Sequence, residues 1–402
     1  MRDRSTKRKS GFTLLEMTIS MALGGLVLGA AVQIYIQGVQ AAWTTTQRAE
    51  LQQDFRAASN ILTKDLSLAG AGLNPGAAIA LPSNTAPVYG CAQTTGSPCY
   101  INGGSVAYPA QSGTYYLYGL LPGYDVGPTL LAAQGATDSV TVVYTDNNFY
   151  LDCYQAAITS TTTVTFTLTA ASQAASNCTN YGNTIQAVGN SSTGLTAGDL
   201  VLFTFGTTNV VAEVTTAPTG AGVVTFAASD ALNMNQAAGV ANSLASKYAA
   251  PSNSVTGYAT RILVISYYID NSPTPPRMMQ QVSGHTPIPV AENVVYLKFT
   301  YDLFNAATDL PAVTCSNPGA TSANPIPPNV SANTTDGCSQ ASAGLLPNQI
   351  TKINIANMAM DSTLPGVGYG GGNGGAYQRL DLQTSVSARN LTYTNNYPVP
   401  SS

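Results

Sequence analysis

Lys9-Ser10-Gly11-Phe12-Thr13-Leu14-Leu15-Glu16 opens an apolar run that continues to Ile36, and Glu16 is the only charged residue among the 25 positions from Phe12. At about 1.5 Å per residue, a helix of that length covers the roughly 30 Å hydrocarbon core of a bilayer. Arg2, Arg4, Lys7, Arg8 and Lys9 stand before it, five of the fifteen basic residues of the chain, and that asymmetry holds this end on the cytoplasmic side. Three readings compete: a cleaved secretory signal, a plain membrane anchor, and a leader cut on the cytoplasmic side that leaves the apolar helix attached. The bulky Ile34-Tyr35-Ile36-Gln37 offers no small-x-small cleavage site. On physical features alone the plain anchor fits best and a secretory signal next. Glu16 is the residue neither explains, because a carboxylate inside an apolar span is costly without a partner.

The same stretch, basic residues followed by Gly11, Phe12, Thr13 and Glu16 in register, resembles the leader of type IV prepilins and of type II secretion pseudopilins. The resemblance implies that a prepilin peptidase cuts after Gly11 and methylates the new amino terminus, Phe12. It also implies that Glu16, fifth in the mature chain, meets the N-terminal ammonium of a neighbouring subunit during assembly. Removing one member of such a buried pair typically costs about 3–5 kcal/mol, so Glu16 reads as a registration device for docking. Many pilins carry a proline in mid-helix where this chain has Gln33.

Working outward, the chain has no proline from Phe12 to Ala69, and Gly70, Gly72 and Pro75 punctuate the next few positions. Leu51, Phe55, Ala58, Leu62, Leu66 and Ala69 recur every three or four residues, the stripe of a helix lying on a globular head. The expected organisation is a leader over 1–11, a membrane or filament-core helix over 12–36, an amphipathic continuation over 37–70, and a β-rich extracytoplasmic head over 71–402. Ser139–Thr145, Leu200–Phe205, Val223–Phe226 and Ile262–Ile269 are rich in β-branched and aromatic residues and read as strands. Val295, Leu297, Phe299 and Tyr301 alternate with more polar residues, as do Ile353 and Ile355, which predicts half-buried strands with those side chains inward. Thr159–Thr169, Asn317–Asn333 and Gly366–Ala376 read as biased connecting stretches. The fold class expected is α+β: a long N-terminal helix packed on a β-rich, disulfide-stapled head.

Only 8% of residues are charged and the net charge is −4, against roughly 25% charged in an ordinary globular chain. Basic residues beyond the N-terminus are few and scattered, so no nucleic-acid partner is expected. Cys91, Cys99, Cys153, Cys178, Cys315 and Cys338 all follow the apolar run, on the side where disulfides persist. Sequential pairing, Cys91–Cys99, Cys153–Cys178 and Cys315–Cys338, closes three local loops, although other connectivities stay open. Metal binding is the alternative, but no Cys-x-x-Cys or Cys/His cluster is present and no cofactor is expected. His285, the single histidine, sits in the turn-like Ser283-Gly284-His285-Thr286-Pro287 with no nucleophile motif, so the chain does not read as an enzyme. Asp146-Asn147-Asn148 reads as a turn, and the glycines of 368–375 lack the Lys-Ser/Thr ending of a phosphate loop.

Downstream segments resemble the PilW family of minor pilins: Leu51–Arg56 through Leu62–Gly70, Asp138–Tyr144, Gly198–Leu202, Tyr267–Ile269, Val290–Val294 and the closing Ser387-Ala388-Arg389-Asn390-Leu391. That resemblance implies a minor pilin that joins other minor subunits and the major pilin at the bacterial inner membrane, primes assembly and then reaches the pilus or cell surface. A J-type minor pseudopilin of type II secretion and a pilus-tip adhesin are the alternatives.

Overall fold

Uninterrupted by proline, the N-terminal region forms one helix in the computed structural model: α1 runs without a break over Leu14–Ser67, with Gln33 in its interior. The structure describes residues 11–73, 78–85, 87–88, 115–131, 134–168, 178, 187–219, 222–248, 255–305, 310–315, 347–362, 377 and 379–391. The chain divides into two compact units, Met1–Gln53 with Ser362–Gln378, and Asp54–Asp361 with Arg379–Ser402. The boundary falls inside α1.

In the first unit, Phe12, Leu14, Met21, Leu26, Ile34 and Tyr35 are all at least 70% exposed. Among the described residues, α1 is the one helix long and apolar enough to cross a membrane. Thr44, Thr45 and Thr46 sit inside this helix and return their hydroxyls to carbonyls three or four residues back, which is how three adjacent β-branched residues are accommodated there.

In the second unit the stripe is buried: Phe55, Ala58, Leu62 and Leu66 on α1, and Ala69 just beyond its end. Among the described residues that follow, seventeen strands form. The first ten are β1 (Ile79–Ala80), β2 (Tyr116–Leu117), β3 (Leu120–Gly123), β4 (Ser139–Thr145), β5 (Gln155–Ile158), β6 (Thr163–Thr167), β7 (Leu200–Phe205), β8 (Thr208–Glu213), β9 (Thr216–Thr219) and β10 (Val223–Thr225). A short helix α2 (Leu244–Tyr248) precedes β11 (Val255–Asp270), β12 (Arg277–Val282), β13 (Ile288–Glu292), β14 (Val294–Asn305), β15 (Leu310–Cys315), β16 (Ile350–Asp361) and β17 (Arg379–Ser387).

All described pairings are antiparallel, and they give a two-stranded, an eleven-stranded and a four-stranded sheet. The sixteen residues of β11 organise the large sheet by pairing in turn with β5, β7, β4 and β12. Its segment Val264–Ile269 is buried at every position, as expected of a strand covered on both faces. One core gathers Phe166, Phe203 and Phe226, with the Phe203 and Phe226 rings edge to face at 5.3 Å. A second gathers Leu117, Leu121, Val143, Leu200, Leu232, Ile262 and Val264.

Two expectations need correction. Thr159–Thr169 is not merely a connecting stretch: β6 lies inside it and buries Val164 and Phe166. In β14 the alternation holds at Leu297, Phe299 and Tyr301, but Val295 is only half-buried while Val294 and Tyr296 are buried. The register with β16 shifts between Val294 and Tyr296. A bulge at that point turns the next side chains to the opposite face, which a strict two-residue period cannot foresee. Asn317–Asn333 and Gly366–Ala376 lie outside the described residues.

Candidate functional site

At its start α1 is closed by a reciprocal cap. Thr13 precedes the first helical residue and Glu16 is the third. The Thr13 N–H donates to Glu16 Oε2 at 3.0 Å, the Thr13 hydroxyl donates to the same oxygen at 3.1 Å, and the Glu16 N–H donates to Thr13 Oγ1 at 3.3 Å. Thr-x-x-Glu is the capping-box pattern, which satisfies backbone donors that a helix start otherwise leaves open. Both contacts made by the carboxylate fall on Oε2. Phe12 is 86% exposed, and a Cβ built on Gly11 meets nothing within 4 Å.

The other end of α1 is fixed in the head by a carboxylate that the apolar stripe does not reveal. Asp65 is 5% exposed. Its Oδ2 accepts from the Tyr267 hydroxyl at 2.5 Å and from Gln280 Nε2 at 3.0 Å, and the Tyr144 hydroxyl also hydrogen-bonds to it. Burial first, and then the charge of Asp65, push both phenols well above their ordinary range. They therefore remain hydrogen-bond donors throughout the physiological range. One acidic residue on the helix thus binds β4, β11 and β12 together. Asp65→Ala leaves the buried Tyr267 hydroxyl and the half-buried Tyr144 and Gln280 donors without their acceptor, and about 2–3 kcal/mol of head stability is expected to go with it. A urea midpoint unchanged from wild type would show that the network is not what anchors the helix.

Beyond Ser67 the chain leaves the helix through a crowded junction. Gly70 donates its N–H to Val143 O at 2.8 Å, and Ala71 O accepts from Thr145 N at 2.9 Å. A Cβ at Gly119 would lie 2.4 Å from Leu391 Cδ2 and 2.8 Å from Gly70 Cα, so only hydrogen fits there. Leu391 is buried against this junction, and Ala388 is held by a 2.9 Å bond from its N–H to Thr351 O. The C-terminal Ala388-Arg389-Asn390-Leu391 therefore closes onto the exit of α1.

Two charged clusters brace the head, the first within the eleven-stranded sheet and the second between it and the four-stranded sheet. The Arg261 guanidinium pairs with Asp146 and lies 3.6 Å from Asp199 Oδ2, and His285 Nε2 is 2.8 Å from Asp199 Oδ1. His285 thus has a structural partner, and Asp146 combines this pairing with an Asx-type bond from the Asn148 N–H at 2.8 Å. Lys298 pairs with Asp125 and Asp138. Asp138 is buried, which pushes its carboxyl up to about 6, although Lys298 and the N–H groups of Asp125 and Phe299 oppose the shift. For Lys298, burial acts downward, but the two carboxylates outweigh it and the net shift is upward.

Cys153 and Cys178 form a disulfide across 25 residues of sequence, a loop length for which the chain-entropy term is about 3 kcal/mol. Cys315 is also disulfide-bonded. Cys91, Cys99 and Cys338 lie outside the described residues. Among the described residues, no group of three or more His, Cys, Asp or Glu side chains is arranged to hold a metal ion.

Residues 6–32 match the family described as the prokaryotic N-terminal methylation motif. The chain has a type IV pilin-like N-terminus. Over 63 residues, 16% of its length, this pilin-like chain is 38% identical to the pilin-like protein PilA3 of Thermus thermophilus. The match covers 27% of that relative. No solved structure matches the chain.

Proposed function

We propose that the chain is a minor pilin of the PilW type that enters a pilus-initiating complex through α1 and primes assembly. The observation that carries this reading is the capped Glu16 on an apolar helix whose first half leaves its large side chains uncovered. The capping box takes up Oε2 and leaves Oε1 for a second partner. Cleavage after Gly11 retains Thr13, so the cap survives processing, and a neighbour's methylated ammonium on Phe12 is a cation of the right size for Oε1. In a low-dielectric bundle the attraction of such a pair is strong, while an unpaired carboxylate is penalised. A head of this size suits a subunit present in few copies, at a tip, better than one repeated along a thin filament.

Charge and capping are separable. Glu16→Gln keeps an oxygen for the Thr13 donors but removes the charge, whereas Glu16→Ala removes both. If the carboxylate serves a neighbouring ammonium, both variants are cut normally and both lose co-purification with partner pilins and the major pilin. Recovery of assembly by Gln would leave only the helix cap as the role of Glu16. Mass spectrometry should find the mature chain beginning at Phe12 and heavier by one methyl group.

A further inference from the structure

We propose that the outer edge of β17 is a strand-pairing site for a second copy of this chain. β17 is nine residues long and ends the four-stranded sheet, hydrogen-bonded to β16 on one side only. Because the Ala388 N–H bonds to Thr351 O on the β16 side, strand alternation turns the N–H and C=O of Asp381, Gln383, Ser385 and Ser387 outward. These four residues are exposed, and among the described residues none supplies that row with partners.

Other edges are guarded. Pro122 lies in β3, Pro218 in β9, Pro289 in β13 and Pro311 in β15. The end of β8 is covered by Asn235, whose side-chain oxygen accepts from the Glu213 N–H at 3.0 Å, and β1 and β2 are two residues each. Proline, cover and brevity are the usual protections against edge-to-edge association. Arg379-Leu380-Asp381-Leu382-Gln383-Thr384-Ser385-Val386-Ser387 contains no lysine and no proline. Its single bulge relative to β16 inserts the extra residue into β16, so β17 itself stays straight. Beside its C-terminal end lies an open groove of about 510 Å³, lined by Thr63 and Ser67 of α1 and by Ser385, Ser387 and Arg389.

The sequence of β17 is complementary to itself. In an antiparallel pair centred on Gln383, Gln383 faces its own counterpart, Asp381 faces Ser385 and Arg379 faces Ser387, all on the outward-bonding positions. On the other face Leu380 meets Val386 and Leu382 meets Thr384. Apolar side chains oppose apolar or β-branched ones, and no like charges coincide, the pattern that stabilises cross-strand neighbours. Such a two-fold contact joins the same patch on both subunits and closes the assembly at two.

The test is register-specific cross-linking of the full chain in detergent. Facing α-carbons in such a pair stand about 5.5 Å apart, within disulfide reach. Gln383→Cys is expected to yield an oxidised dimer. Asp381→Cys and Ser385→Cys should each stay monomeric alone and cross-link when mixed. Gln383→Lys places two ammonium groups face to face and should weaken association roughly tenfold, and Ser385→Pro, which removes only an outward N–H, should do the same. Both should melt at the wild-type temperature. A monomeric wild type, or a dimer indifferent to both substitutions, overturns the proposal. So does a wild type that is monomeric alone but uses this edge to bind a different pilin.

Discussion

A Gly11→Leu chain is expected to reach the membrane intact and to remain uncut, with no N-terminus at Phe12 after a time at which the wild-type precursor is fully processed. The structure makes this a clean experiment. Position 11 lies outside α1, and a Cβ there meets nothing within 4 Å. The substitution therefore has no packing in this chain to disturb, and the head should keep its wild-type urea midpoint. The Thr13–Glu16 cap lies downstream and keeps all three of its hydrogen bonds. Any loss must then arise where the leader meets the peptidase, which has to accommodate the side chain next to the scissile bond. Gly11→Ala adds one carbon and should be milder. Normal processing of the leucine variant would remove the reason for reading the chain as a prepilin, whatever the helix does in the bilayer.

How much of this was legible in the sequence depends on whether the governing contact is local. The cap at Thr13 and Glu16 is written within four residues, and the long helix follows from an absence of proline and a regular stripe. β4 and β7 match the runs Ser139–Thr145 and Leu200–Phe205 residue for residue, because short β-branched segments bounded by turns leave little choice. Asp65 was harder. It sits between Lys64 and Leu66 and looks like one more polar residue on a wet face, yet its partners lie 202 and 215 residues away. A clue was present, since Asp65 falls three residues after Leu62 and four before Ala69, inside the buried stripe. The bulge at Val294–Tyr296 left no such clue. The segments Asp138–Tyr144, Gly198–Leu202 and Ser387–Leu391 carry structural devices: Asp138 takes Lys298, Asp199 takes Arg261 and His285, and Leu391 fills the junction at Gly70.

Raising the pH from about 6.5 to 8 is expected to weaken the head, and Glu213→Gln should abolish most of that slope. Glu213 ends β8 and is 4% exposed, while Asp230, 7% exposed, lies on the loop beyond β10. The two carboxyl groups are hydrogen-bonded to each other. The Leu232 N–H donates to Glu213 Oε2 at 2.9 Å, and the N–H groups of Met234 and Asn235 donate to Asp230 at 2.6 and 2.9 Å. Among the described residues no basic side chain answers this pair directly; past Gly284, whose Cβ would stand 2.4 Å from Glu213 Oε1, lies His285, already on Asp199 with Arg261. Burial, then the bond to Asp230, hold the Glu213 proton and push its pKa up to about 8. In the unfolded chain the group ionises near 4.5. Between those values the folded state carries the extra proton, so stability declines as pH rises and levels off above about 8. The slope cannot exceed about 1.4 kcal/mol per pH unit for one proton. Asp138 acts in the same direction, but its window closes near 6, which leaves the range from 6.5 to 8 to Glu213. The amide of Gln can still donate to Asp230 and accept from Leu232 without titrating. Urea midpoints measured across that range should therefore fall for wild type and stay nearly level for the variant. Two parallel lines would mean that Glu213 is already ionised in the folded head, and that something other than a shared proton holds these two acids together.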